Sequence, residues 1–208
     1  MIMPALKSLD DVFEALNKCR KEARSLGDIE RHAFQKRFEE MRRIQPEIAF
    51  IGLGMLATID KNETAMRKYF TAALKYHQNP TLVYFNYAVS LTDFGCIEEA
   101  ALYFEKILQD EVTAAPFLDR MASAALTMSD ESLALKILDV ANKLNISGLH
   151  INMIRADIAI ANADSPEEEI ECLEKIFPDE FLKENSLRIT DEQWEEMSEF
   201  AQDIKQYI

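Results

Sequence analysis

Three histidines and three cysteines are the side chains here best suited to metal or nucleophile chemistry, and their spacing gives them little to work with. His32, His77 and His150 lie far apart, and none has a second ligand three or four residues on in a recognisable metal motif. Cys19, Cys96 and Cys172 are scattered, with no CxxC pair. An odd, dispersed count argues against a disulfide framework and for a reducing compartment. Such cysteines read as small buried hydrophobes. Gly52-Leu53-Gly54 holds two glycines of a nucleotide loop, but no strand precedes them and the remaining glycines are missing. Close packing of two helices accounts for them better. Glu167-Glu168-Glu169 offers carboxylates, yet an acidic run opening a helix complements the helix dipole. No GxSxG or P-loop motif occurs. The expectation is a chain that is not an enzyme and takes no metal or cofactor.

What the sequence does carry is a period. A small residue returns every 34 positions as Gly54, Ala88, Ala122 and Ala156. Phe50, Tyr84 and Leu118 precede it by four, and Leu53, Tyr87 and Met121 precede it by one. Ala57, Leu91, Ala125 and Ala159 follow it by three. A second set of columns reads Ala65, Ala100, Ala134; Tyr69, Phe104, Leu138; and Ala72, Ile107, Ala141. The first step in that set is 35 residues and the second is 34, so the loop before the second helix is expected to vary by one residue. Large residues at helical spacing share one helix face, and small ones between them let two helices cross closely. Turn signals fall between the columns at Asp60-Lys61-Asn62, Gly95 and Ser129-Asp130. A fixed period of this length reads as stacked helical hairpins.

The residues resemble the tetratricopeptide repeat family. Thr81 to about Gln109 carries the family pattern in Tyr84, Tyr87-Ala88, Leu91, Gly95, Ala100, Phe104 and Ile107. The unit before has Leu53-Gly54, and the unit after keeps Met121-Ala122, Ala125, Ala134, Leu138 and Ala141. The resemblance covers about residues 47–144; beyond it, Asn152 and Arg155 occupy columns that are apolar elsewhere. It implies an all-α fold, a right-handed superhelical α-solenoid closed by a C-terminal capping helix. One domain of 208 residues is expected, with a divergent helix pair over 1–46, repeats over 47–163 and acidic helices over 164–208.

Composition agrees with a folded helical chain. Hydrophobic residues make up 48%, with only five Gly and six Pro. The net charge of −14 is uneven: residues 164–208 hold four Lys/Arg against fifteen Asp/Glu, whereas residues 1–46 hold ten against eight. Nucleic acid is not an expected partner, because phosphate binding needs clustered cations. No apolar stretch approaches the ~18 residues of a membrane span. No signal peptide is visible, since Lys7, Asp10 and Asp11 interrupt any early apolar run. A cytoplasmic protein is expected, and its acidic end suits a basic partner surface.

At the amino end, Ser8 to Ser25 reads as an amphipathic helix with Leu9, Val12, Phe13, Leu16 and Cys19 inward. A second helix to about Ile44 is expected to complete a hairpin with it. At the other end, Thr190 and Gln193 suit a capping box. Trp194, Met197, Ala201, Ile204 and Ile208 give the following helix an apolar face, as the last element of a repeat stack requires. Pro178 to Asn185 is expected to be a short linker.

In the family, the exposed side of each first helix reads an extended peptide. Carried over by the period, this resemblance assigns partner binding to Ile51, Met55, Phe85, Asn86, Val89, Arg120 and Ser123. Phe85 and Val89 lie four apart, away from Tyr84 and Leu91. Apolar anchors and two hydrogen-bonding residues, Asn86 and Arg120, would then grip a protein segment. A carboxylate clamp for chaperone tails is rejected, because Ile51, Met55 and Pro116 stand where its donors are needed. The expected function is a non-catalytic interaction module. Two alternatives stand beside it: a bacterial chaperone for a secreted or toxic partner, and a structural subunit that associates through its edges.

Overall fold

A computed structural model describes residues 9–22, 25–76, 80–163 and 165–178. Every regular element among them is helical, with no strand. The helices are α1 Leu9–Lys21, α2 Asp28–Met41, α3 Pro46–Ile59, α4 Glu63–Ala73, α5 Thr81–Asp93 and α6 Ile97–Leu108. After them come α7 Glu111–Ala114, α8 Leu118–Met128, α9 Glu131–Lys143, α10 Leu149–Asn162 and α11 Pro166–Ile176. The expected linker after Pro178 and the helix bearing Trp194 lie outside the described residues. The chain divides into two compact units between Thr113 and Ala114.

In the first unit, α3 packs on α4 and α5 packs on α6, while α3 also packs on α5 and α4 on α5. Helices α1 and α2 both pack on α3. Contact on all these sides buries α3 almost completely from Ala49 to Thr58. The glycines expected to serve close packing do so. A Cβ on Gly52 would run into the Phe38 ring of α2, and one on Gly54 would sit 2.7–2.9 Å from the Phe70 ring of α4. Phe70 in turn stacks on Tyr87 of α5, with centroids 5.0 Å apart. The second unit repeats the scheme: α8 packs on α9, α10 on α11, and α8 and α9 both on α10. Gly54, Ala88, Ala122 and Ala156 are all buried, as a seam of small residues must be.

The turn inside the α3/α4, α5/α6 and α8/α9 pairs repeats in backbone detail. Lys61, Gly95 and Ser129 all take positive φ, at 54°, 73° and 53°. After each, one amide reaches back across the turn: Asn62 to Ala57, Cys96 to Leu91 and Asp130 to Ala125, at 2.8, 3.0 and 3.0 Å. This is the left-handed stop that closes a helix by satisfying its last carbonyls. The next residue starts the second helix. Asn62 accepts from the Ala65 amide and Asp130 from the Leu133 amide, while Cys96 holds the same place without a side-chain cap.

This geometry corrects the second set of columns. The buried residues of α4 are Met66, Phe70 and Ala73, not Ala65, Tyr69 and Ala72, which are half-buried. They lie 34 residues before Ala100, Phe104 and Ile107, so the loop does not vary in length. Ala65 misled because it is small; the face that meets α3 is set by the cap at Asn62, and it holds a methionine at this point. The fourth turn departs from the pattern. Ala163, one period after Ser129, is extended (φ −75°, ψ 135°), and α11 is capped later by Ser165, whose Oγ accepts from the Glu168 amide.

Candidate functional site

The stripe expected to read a peptide is partly core. Ile51 is 1% exposed, Met55 4% and Phe85 1%. The expectation that these three line an open groove is therefore corrected. Helices α1, α2, α4 and α5 surround α3 and leave Ile51 and Met55 no free side. Phe85 meets the Phe104 ring of α6 edge-on at 6.2 Å. Val89 and Asn86 are half-buried, and Asn86 donates its Nδ2 to the Leu82 carbonyl of its own helix at 2.8 Å. Arg120 is exposed on α8 and Ser123 is half-buried one turn on, its carbonyl accepting from Thr127 Oγ1. Ile51, Met55, Phe85, Asn86 and Val89 thus belong to the first unit, and Arg120 and Ser123 to the second.

Three polar clusters were not legible as such in the sequence. In the first unit, Arg67 on α4 donates to Glu63 at 2.8 Å, to both carboxylate oxygens of Glu99 at 2.8 and 2.7 Å, and to the Tyr87 hydroxyl at 3.4 Å. Its Nη2 lies 3.5 Å from the Cys96 sulfur. The hydrogen bonds to Glu99 and then Glu63 raise the pKa of Arg67. Burial raises the Tyr87 phenol against the opposing effect of Arg67. Beside this cluster, Tyr103 packs on Tyr87 and Tyr84, and Lys106 sits 4.4 Å above the Tyr103 ring.

In the second unit, Asp119 on α8 holds the start of α10. Its Oδ1 accepts from the amides of His150 and Ile151, at 2.8 and 3.2 Å, and its Oδ2 lies 2.9 Å from His150 Nδ1. Burial pushes the Asp119 carboxyl up, but hydrogen bonds from His150 and the Ile151 amide outweigh it and hold the carboxyl below its ordinary value. Gly148, the N-cap of α10, lets the carboxylate in, because a Cβ there would collide with it. A further set ties the end of α9 to α10 and α11. Buried Asn152 donates to the Ile176 carbonyl at 3.1 Å and accepts from Arg155 at 2.7 Å. Arg155 also donates to Asn142 at 2.7 Å. The two polar residues in apolar columns are thus each other's partners.

An aspartate set against an imidazole in this way can orient a general base. Here the other carboxylate oxygen serves the α10 amides, and among the described residues no hydroxyl or thiol is hydrogen-bonded to the His150 ring. No group of three or more His, Cys, Asp or Glu side chains among the described residues is placed to hold a metal ion. No helix among them is long and apolar enough to cross a membrane. Compared with known protein families, with curated proteins and with solved structures, the chain matches none of them. The one signal that pointed toward the Asp119 cluster was Gly148 immediately before a helical pattern.

Proposed function

We propose that this chain is a cytoplasmic, non-catalytic repeat protein of the tetratricopeptide-like α-solenoid class that binds another protein through the side presented by its first helices. The observation that carries the reading is the joint repeated at Lys61, Gly95 and Ser129, one backbone shape at a constant 34-residue step. Chains built from one supersecondary unit in tandem work mainly as extended binding surfaces. With Ile51, Met55 and Phe85 in the core, the expected residues that keep some exposure are Val89 and Asn86 within the first unit and Arg120 and Ser123 within the second. Capture of partners from the native lysate with the full chain, Val89→Glu and Arg120→Glu tests this. The expected outcome is a partner held by the parent chain and lost in one or both variants, with far-UV dichroism unchanged. A partner retained equally by both variants removes the reading.

The structural-subunit alternative draws on a different observation. Ile29, Ile44 and Val112 are 85%, 82% and 76% exposed, and none lies on a first helix of the α3, α5, α8 and α10 series. If this reading holds, Ile29→Glu with Ile44→Glu abolishes association and Val89→Glu leaves it intact.

A further inference from the structure

We infer that the α3–α5 side of the first unit is a seat for an amphipathic helix, and that α1 is its resident, detachable occupant. The inference rests on the protein-binding reading above, and names the partner class and its regulation.

Helices α3 and α5 are equivalent helices one period apart, so Ile51 and Met55 on one face the same way as Phe85 and Val89 on the other. Asp93 follows Val89 by four residues and continues the α5 stripe by one turn. Arg20, near the end of α1, donates through Nη1 to both Asp93 carboxylate oxygens at 3.1 and 3.2 Å. Helix α1 also packs on α3. At about 100° per residue, the Ile51–Met55 stripe lies between Gly52, which meets α2, and Gly54, which meets α4. A helix that touches α3 and ends at Asp93 therefore lies along this stripe. Its own Val12, Leu16 and Cys19 are all buried. The seat thus receives three apolar residues at i, i+4 and i+7, followed by a cation at i+8 that meets Asp93. That pattern describes a helix laid in a groove rather than an extended peptide.

The resident is held on α2 by Phe13 against the Phe38 ring, with centroids 5.8 Å apart. Its tie to α5 is an ion pair whose side chains are 22% and 23% exposed. Arg20 Nε is buried without an acceptor, and a buried donor left unmade weighs against the contact. An incoming helix of the same pattern would meet the same apolar residues and Asp93, against the advantage that the tether gives α1.

Cys19, on the inner face of α1, reports its release. The experiment follows thiol labelling of Cys19 in the full chain carrying Cys96→Ser and Cys172→Ser, alone and with a synthetic peptide of residues 9–21 bearing Cys19→Ser. The expected result is labelling that outruns global unfolding and that low urea accelerates less steeply than it accelerates global unfolding. Arg20→Glu in the chain speeds it about tenfold, and the labelled-free peptide binds that variant about tenfold more tightly than the parent. The same peptide with Arg20→Glu does not bind. Where Arg20→Glu lowers helicity, Asp93→Ala replaces it as the labelling variant. Labelling of Cys19 only at the rate of global unfolding overturns the inference, as does a peptide that binds neither chain. A cellular partner that binds through Val89 and leaves Cys19 labelling unchanged overturns it too, with the broader reading intact. Local release and peptide binding in a chain that captures no cellular protein uphold the seat and remove the broader reading.

Discussion

Helix α3 of the first compact unit and helix α10 of the second are seated by different chemistry. In the first, glycines lie under aromatic rings: Gly52 under Phe38, Gly54 under Phe70, with Phe70 stacked on Tyr87. In the second, Ala122 and Ala156 keep the small-residue column, but α8 also holds α10 through a carboxylate on its first amides. The same period and, up to Ser129, the same turn serve both. A repeat therefore dictates where helices meet and leaves open what binds them there. The glycine–phenylalanine contacts carry no titratable group; the carboxylate on the α10 amides does.

The largest effect is expected at the apolar seam. Phe70→Ala removes a fully buried ring and should lower stability by about 3–5 kcal/mol in urea unfolding. A loss below ~1 kcal/mol would mean that the ring is not the keystone its position suggests. Gly54→Val attacks the same contact from the other side. Overpacking against the Phe70 ring should cost about 1–3 kcal/mol, and adding Phe70→Leu should recover part of it. Additive losses would show that the two residues do not share one space.

At the polar seam, Asp119→Ala should cost about 1–2 kcal/mol and speed amide hydrogen exchange at His150 and Ile151 before other helices respond. The pH dependence has a definite sign. Because the fold holds the Asp119 carboxyl below its ordinary value, its contribution is present above pH ~4 and lost as pH falls through the lowered value. Acid titration followed by exchange at α10 should show this loss in the parent and not in Asp119→Ala. The smallest effects concern the shared turn. Ser129→Gly should raise stability by up to about 1 kcal/mol, since φ of 53° suits glycine better than serine. Gly95→Ala should lower it by a similar amount, although no atom lies within 4 Å of the added Cβ. Thermal melts of the two variants that shift the same way would break the equivalence of the turns.

The period and the small-residue seam were legible because both depend on residue size at fixed spacing, and Gly54, Ala88, Ala122 and Ala156 are all buried. The register of α4 was not. Ala65 looked like the seam, but the cap at Asn62 sets which face turns inward, and that face carries Met66 and Phe70. The expected partner stripe was read from spacing alone, which cannot tell an exposed apolar residue from one that another helix already covers. Ile51, Met55 and Phe85 are of the second kind. Asp119 and His150 lie 31 residues apart; Gly148 marks a helix start beside His150, but nothing local names Asp119 as the group that meets it.

The recurring joint has a consequence for length. Lys61 and Gly95 hold one backbone shape, and Asn62 and Cys96 begin the helix after it at equivalent places. Excising residues 62–95 would bring Cys96 directly after Lys61 and splice like to like. Such an excision would remove one whole unit and leave the bend at Lys61 as it is.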